Sequence, residues 1–422
     1  MAGDLGSVGL VLGVWLAGGF IALLGALCYS ELSTNFPRSG GEYVYLTEAY
    51  GTVWGFIVGW ISFFAGFSAP IALTALVVSS YLSYFTSALD PNSADALRVA
   101  IGPISLNLGW GALLACGIVA VFTVLNVRGV SVAAKAQNAL TLLKLIVLAS
   151  LVGFGFAIGN GDWSHFSQEA TRTSSHSLFT QFALSLVFGY YGYSGWNAAV
   201  YVAGEIRDPD RTLPRALVIG TLFVAVFYAA LNCLFIYANP LEEMKGVVAV
   251  GAQAADSLFG PRGGALFAGM MAMSLLATIN AMCVVGPRVY YAMAKDRAFF
   301  AAAGQVHPKW GTPWVAVIAQ GACCMALILT GTFRSLINYI GFTLWLSTAM
   351  AVFALFLFRK RAGWKKQPWV SFAWPAIPAL YVLVNVYVFL YFAFIQKGEA
   401  LWSLLTIVGG AVAYKLSRRG QA

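Results

Sequence analysis

Ionisable side chains are scarce in this sequence: only 10% of its 422 residues are charged, 16 residues are acidic and 3 are histidine. An average soluble domain carries about 25% charged residues, so an ordinary water-exposed surface cannot be built from this composition. The acidic residues, among them Glu31, Glu42, Asp90, Asp162, Glu205, Asp208, Glu242, Asp256, Asp296 and Glu399, are expected in loops or at the edges of apolar segments, as are His165, His176 and His307. That leaves the apolar segments without a carboxylate pair for acid–base hydrolysis, a histidine cluster for a metal, or a Ser-His-Asp arrangement. An enzyme, a metal site and a cofactor are therefore not expected. The 6 cysteines (Cys28, Cys116, Cys233, Cys283, Cys323 and Cys324) all fall within apolar segments, where they act as small hydrophobes rather than as a disulfide framework. P-loop and GxGxxG fingerprints are lacking, which excludes an obvious nucleotide-driven motor. Met1 to Gly6 carries no Lys or Arg, so no cleavable leader is expected.

What the chain does have is apolar bulk, 60% hydrophobic and 15% aromatic. Eleven segments are long enough to cross a hydrocarbon layer of about 30 Å as helices, near 6–29, 53–85, 108–126, 138–159, 178–203, 213–238, 263–293, 314–331, 334–358, 373–395 and 399–416. Long continuous runs favour helices over barrel strands, which alternate over roughly ten residues. The loops are too short to hold a folded extramembrane domain. The net charge of +9 does not indicate nucleic acid, because the basic residues are scattered through short loops. Eighteen of them fall in one alternating set of loops with the C-terminus (Arg38, Arg128, Arg207, Arg288, Arg359 and Lys415 represent its members) and six in the other. The positive-inside rule makes the first set cytoplasmic.

Two features stand out inside the segments. Lys144 lies within an apolar run. It either snorkels to the headgroups or faces a protein cavity and acts there, since a charge facing lipid costs about 2.5–3.5 kcal/mol. The stretch FALSLVFGYYGYSGWNAAVYV (182–202) places Gly189, Gly192 and Gly195 at every third position among Tyr190, Tyr191, Tyr193 and Trp196. Each glycine costs a helix about 1 kcal/mol relative to alanine. Such a segment either unwinds to bind substrate with bare peptide groups or offers a small-residue face to a neighbouring helix. The stretch from Glu31 to Gly51 reads as an amphipathic connector at the interface, with a gate element as the alternative.

Several ordered stretches, including GSVGLVLGVWLAGGFIALLGALCYSELSTNFPRSGGEYVYL (6–46), AQNALTLLKLIVLAS (136–150), YYGYSGWNAAVYVAGEIRDPDRTLPRAL (190–217), GPRVYYAMAKDRAFF (286–300) and INYIGFTLWLSTAMAVFALFLFRKR (337–361), resemble the amino acid-polyamine-organocation superfamily, in particular its L-type amino acid transporter branch. The resemblance implies an all-α polytopic protein of the leucine-transporter fold with inverted repeats, 11 of the family's 12 helices being present. Residues 6–159 would be the remnant of the first repeat (family helices 2–5), 178–358 the second (helices 6–10) and 373–416 two further helices. The family's unwound first helix is expected to precede residue 1.

The resemblance also implies site roles. Phe188, Gly189, Tyr190, Tyr191, Gly192, Ser194, Gly195, Trp196 and Asn197 match the broken sixth helix: carbonyls of Phe188–Tyr191 for the substrate ammonium, Tyr191 as an aromatic gate, and Trp196 with Asn197 shaping the pocket. Phe342 and Thr343 would line it from the tenth helix. Lys144 matches a lysine that stands in for sodium, with Ser274 and Thr278 as neighbours. The outer loop Ser87 to Asn107 has no cysteine, so a disulfide-linked heavy subunit is not expected. With no acidic residue expected at the pocket, neutral amino acids are favoured. The function implied is sodium-independent exchange or uptake of neutral L-amino acids by alternating access across the cell (inner) membrane. A non-transporting sensor or degenerate paralogue is the alternative, and proton coupling through Lys144 is a variant within the transporter class.

Ser167→Cys in an outer loop should be labelled by a membrane-impermeant maleimide on intact cells, and Gly363→Cys in a basic loop only after permeabilisation. The reverse pattern contradicts the orientation.

Overall fold

The computed structural model describes residues 1–91, 93, 97–101, 104–331, 333–395 and 397–419. Helices occupy every one of the eleven apolar segments: α1 (Val8–Asn35), α3 (Thr52–Leu82), α4 (Trp110–Arg128), α5 (Val130–Ile158), α6 (Leu178–Gly192), α7 (Pro209–Ala238), α9 (Pro261–Lys295), α10 (Trp314–Thr330), α11 (Phe333–Phe358), α12 (Ala376–Ile395) and α13 (Lys397–Arg419). Two short helices, α2 (Glu42–Tyr50) and α8 (Val250–Phe259), lie between them. Among the described residues, six helices are long and apolar enough to cross a membrane and five shorter apolar ones accompany them. A helix is the natural form for such runs, because it satisfies every peptide group internally where no water is at hand. Pro209 and Pro261 stand at helix starts, where a missing N–H costs nothing. Phe179, Phe394 and Trp402 are 71%, 75% and 66% exposed, as lipid-facing side chains are.

The packing brings together spans that are distant in the chain. Helix α1 lies along α7, α3 along α9 and α4 along α10, each on the span five places further on. Helix α5 also runs along α9, and α12 along α11.

Three local features depart from expectation. Helix α1 runs on to Asn35, beyond the expected end near residue 29. In its polar tail Ser30, Ser33 and Thr34 donate their hydroxyls back to carbonyls three or four residues earlier, at 2.6, 3.2 and 2.8 Å, which satisfies these groups within the helix. This carries Glu31 into the interior, where it is fully buried. Arg359 at the end of α11 donates to it from Nε at 2.6 Å, Trp364 Nε1 at 2.8 Å and the Gln367 amide at 3.0 Å. The guanidinium also lies over the Trp374 ring, 4.0 Å from its centroid.

Helix α2 is a buried part of the bundle rather than an interfacial connector, since Glu42, Tyr43, Val44, Tyr45 and Leu46 are all buried. Gly40 and Gly41, at φ 127° and 56°, turn the chain into it. Gly55 lets α3 come close, because a Cβ there would stand 1.8 Å from Thr47 Oγ1. The expectation that acidic residues keep to loops and edges therefore fails at Glu31 and Glu42. Each finds donors from chain segments that are distant in sequence. The stretch between α3 and α4, finally, carries an antiparallel pair of strands, β1 (Arg98–Ile101) and β2 (Ile104–Asn107).

Replacing Glu31 by Gln leaves a buried guanidinium without its counter-charge, which costs about 3–5 kcal/mol. Thermal unfolding of the purified protein in detergent should show a marked fall in midpoint. An unchanged midpoint contradicts the pairing.

Candidate functional site

The glycine-rich stretch is where the sixth-helix match breaks. Helix α6 ends at Gly192, residues 193–197 form an irregular turn, and a tighter 3₁₀ segment, Ala198–Glu205, carries the chain onward. Gly195 makes the turn at φ 93°, where a side chain would be strained. The Tyr193 amide is shared between the carbonyls of Gly189 and Tyr190, at 3.3 and 3.1 Å, which closes the last turn of α6.

The three glycines divide between the two readings the sequence allowed. Gly189 and Gly192 are packing positions, since a Cβ would come within 2.9 Å of Val14 Cγ1 and 2.7 Å of Trp15 Cζ3 on α1. Gly195 is free of such contacts and serves the backbone.

The break opens on a cavity of about 110 Å³. Tyr190, Ser194, Gly195, Trp196, Asn197, Ala198 and Tyr201 form one wall. Gly66, Phe67 and Pro70 of α3 face them, with Ala281, Met282 and Val285 of α9 and Thr348 of α11 closing the sides. The α3 wall is shaped by a π-helical stretch, Ser62–Ser68. Pro70 has no N–H to return to the preceding turn, and a widened turn is one way a helix absorbs that loss. Every lining side chain is uncharged.

Tyr190 is fixed by a hydrogen bond to the Tyr381 hydroxyl at 2.9 Å and by the edge of Trp345. Trp196 meets Tyr29 edge-on at 4.8 Å. Asn197 donates from Nδ2 to Glu42 Oε1 at 2.6 Å and to the Tyr201 hydroxyl at 3.2 Å. With both amide protons so directed, its carbonyl oxygen is the group left to accept. Phe188 is outside the lining and packs against the apolar core of α3, α4 and α9. The side chains of Tyr191, Phe342 and Thr343 lie outside the described residues.

Lys144 on α5 is directed at α9, donating from Nζ to Thr278 Oγ1 at 3.1 Å. Ser274, one turn earlier on α9, is fully buried with an unpartnered Oγ. Met282, one turn later, lines the cavity, so the ammonium contact is displaced from the chamber by about 6 Å along the helix. A polar seam continues along the same interface, from Gln137 to Asn280 at 3.0 Å and on to Asn126 at 3.1 Å.

Sequence reasoning missed the α3 and α9 walls, Tyr201, Thr348 and the Glu42 contact. Only Pro70 inside a long apolar run, and Met282 at helical spacing from Thr278, carried a signal for them.

A helical bundle with an uncharged chamber at a broken helix defines a membrane carrier for a small solute. The chain belongs to the amino acid permease family, whose model matches residues 1–413. It is 30% identical to the serine/threonine exchanger SteT of Bacillus subtilis (strain 168), over 89% of this chain and 81% of that protein. It is 29% identical to the b(0,+)-type amino acid transporter 1 of Mus musculus, over 97% and 81%. With the large neutral amino acids transporter small subunit 2 of Homo sapiens it shares 28%, over 98% and 73%. The protein is thus an all-α polytopic amino acid transporter of the membrane and not an enzyme.

Gly66 gives the chamber room. A Cβ there would make only ordinary contact, 3.4 Å from Ser62 Cβ, and alanine in a helix gains about 1 kcal/mol over glycine. Gly66→Ala should keep or raise thermal stability, whereas Gly66→Leu should weaken binding of the transported amino acid by roughly tenfold or more, the scale of about 1.4 kcal/mol. Unaltered amino acid affinity in Gly66→Leu contradicts the cavity assignment.

Proposed function

We propose that the protein moves neutral L-amino acids across the cell membrane by alternating access, as exchange or uptake, without sodium and with its C-terminus in the cytoplasm. The observation that carries this is the helix break centred on Gly195, which opens on a chamber whose walls bear no charge. A zwitterion fits such a place. Its ammonium is drawn to the last carbonyls of α6, the negative end of that helix's dipole. The Asn197 amide and the Ser194 hydroxyl offer polar contacts, and Phe67, Met282 and Val285 receive an apolar side chain. A second positive charge on the substrate would find no counter-ion in the lining. Two relatives carry names that agree, one a serine/threonine exchanger and one a large neutral amino acid transporter subunit.

Sodium independence is supported by Lys144. Its ammonium on Thr278, one turn from an unpartnered buried Ser274 hydroxyl, fills polar space where a metal cation would otherwise sit. The packing of each span on the one five places later is the pattern expected of two repeats, 6–159 and 178–358, followed by 373–416. The loop Ser87 to Asn107 lacks a cysteine, so the protein acts without a disulfide-linked heavy subunit.

Reconstituted vesicles should take up labelled L-leucine or L-serine equally well in sodium and choline buffers. Trp196→Ala should lower uptake roughly tenfold or more, and Lys144→Met should abolish it. A sensor would bind these amino acids and move none. A strict sodium requirement, or full activity in both variants, contradicts the proposal.

A further inference from the structure

Cations and apolar side chains share one face of α7. Arg211 and Arg215 are exposed one turn apart, and the exposed apolar side chains of Ile219, Phe223 and Val226 follow them at helical spacing. Among the described residues neither arginine is in an ion pair. Of the two acids that precede them, Asp210 is taken by Lys365 Nζ at 2.7 Å and Asp208 stands at the helix N-cap. The Lys365 pair brings the loop between α11 and α12 beside the first turn of α7. That loop is itself tied down, since the Asn35 side chain holds the Lys365 N–H and C=O, each at 2.9 Å, and Gln367 Nε2 donates to Thr34 Oγ1 at 2.9 Å.

The loop repeats the arrangement of α7. Lys366 is exposed, and a short helical turn, Pro368–Phe372, follows it. Trp369 and Phe372 are 51% and 93% exposed while Val370 between them is buried, so the turn rests one side on the bundle and shows its aromatic side outward. Exposed aromatic rings beside a membrane helix sit at the headgroup boundary. On both elements, then, cations stand where the surface turns apolar. From Arg215 to Val226 the stripe on α7 runs about 16 Å, close to one leaflet of a hydrocarbon core of about 30 Å. An arginine fork matches the oxygens of a phosphate group. A soluble phosphate uses the cations alone, whereas a phospholipid uses both the cations and the stripe.

We propose that Arg211, Arg215 and Lys366 hold the phosphate of one anionic phospholipid, that its acyl chains lie along Ile219, Phe223 and Val226, and that the bound lipid braces the start of α7 against the loop before α12. A zwitterionic lipid fits less well, because its own cationic group repels the three cations. Helix α7 continues the chain directly from the broken segment, so the brace steadies the element on which that segment is mounted. The site is separate from the chamber and does not depend on which solute is carried.

Two measurements on the purified protein in detergent test it. Native mass spectrometry should show phosphatidylglycerol retained over phosphatidylcholine by roughly tenfold or more, and phosphatidylglycerol alone should raise the thermal unfolding midpoint. The triple variant Arg211→Gln, Arg215→Gln, Lys366→Gln should lose both effects while keeping the native midpoint in phosphatidylcholine, and Arg211→Lys, Arg215→Lys should keep both in part. Glycerol phosphate, the headgroup chemistry without acyl chains, should give no midpoint shift. Equal retention of the two lipids by the native protein, a preference that survives in the triple variant, or a shift with glycerol phosphate as large as with phosphatidylglycerol overturns the proposal. If the triple variant is unstable in phosphatidylcholine, the single Arg215→Gln decides, a fully kept lipid preference there being the contrary result.

Discussion

A backbone that leaves the helix inside a membrane protein must find new partners for its peptide groups or face a cavity that supplies them. Residues 193–197 are under that constraint, and the surrounding architecture answers to it. Gly195 takes the positive φ that turns the chain. The Tyr193 amide closes the last turn of α6, and the Ala198 amide reaches back to the Gly195 carbonyl at 2.9 Å. Gly189 and Gly192 press α6 against α1 just before the break, so the irregular turn starts from a firmly seated helix. The widened turn of α3 places Gly66 and Phe67 opposite. The chamber is the space left between two helices that each give up regular geometry at the same level.

The buried charges are handled in three different ways. Glu31 and Arg359 neutralise each other and are further satisfied by Trp364 and Gln367, which ties the end of α1 to the end of α11. Lys144 rests on a threonine hydroxyl in a seam of amides and hydroxyls between α5 and α9. Glu42 is held by neutral donors, the Tyr29 hydroxyl and the Asn197 amide, with Tyr201 beside it. The first arrangement resembles a fixed brace. The other two are met by neutral groups, and both lie against the elements that line the chamber.

Much of this was legible in the sequence, for identifiable reasons. Span positions follow from apolar runs, which need no tertiary information; each of the eleven runs holds a helix, and among the described residues six of these are long and apolar enough to cross a membrane. The break was legible because three glycines among aromatics weaken a helix locally. Which glycine does what was not, since Gly189 and Gly192 owe their role to Val14 and Trp15, far away in the chain. The buried state of Glu42 was equally hidden, because its partner Asn197 lies 155 residues further on and local polarity pointed to an interfacial connector. The α3 wall escaped notice because a widened helical turn leaves no mark on hydrophobic periodicity beyond a proline. Lys144 could be singled out by its depth, but its orientation toward Thr278 depends on how α5 and α9 meet.

The central claim is that the peptide groups of the break themselves hold the amino acid. Hydrogen exchange followed by mass spectrometry addresses this directly, by comparing the protein with and without saturating L-leucine. The account predicts slowed exchange concentrated in peptides covering residues 189–201, with a smaller effect on residues 62–70 of α3. Protection confined to other helices, or exchange at 193–197 as slow without leucine as in an uninterrupted helix, would contradict it.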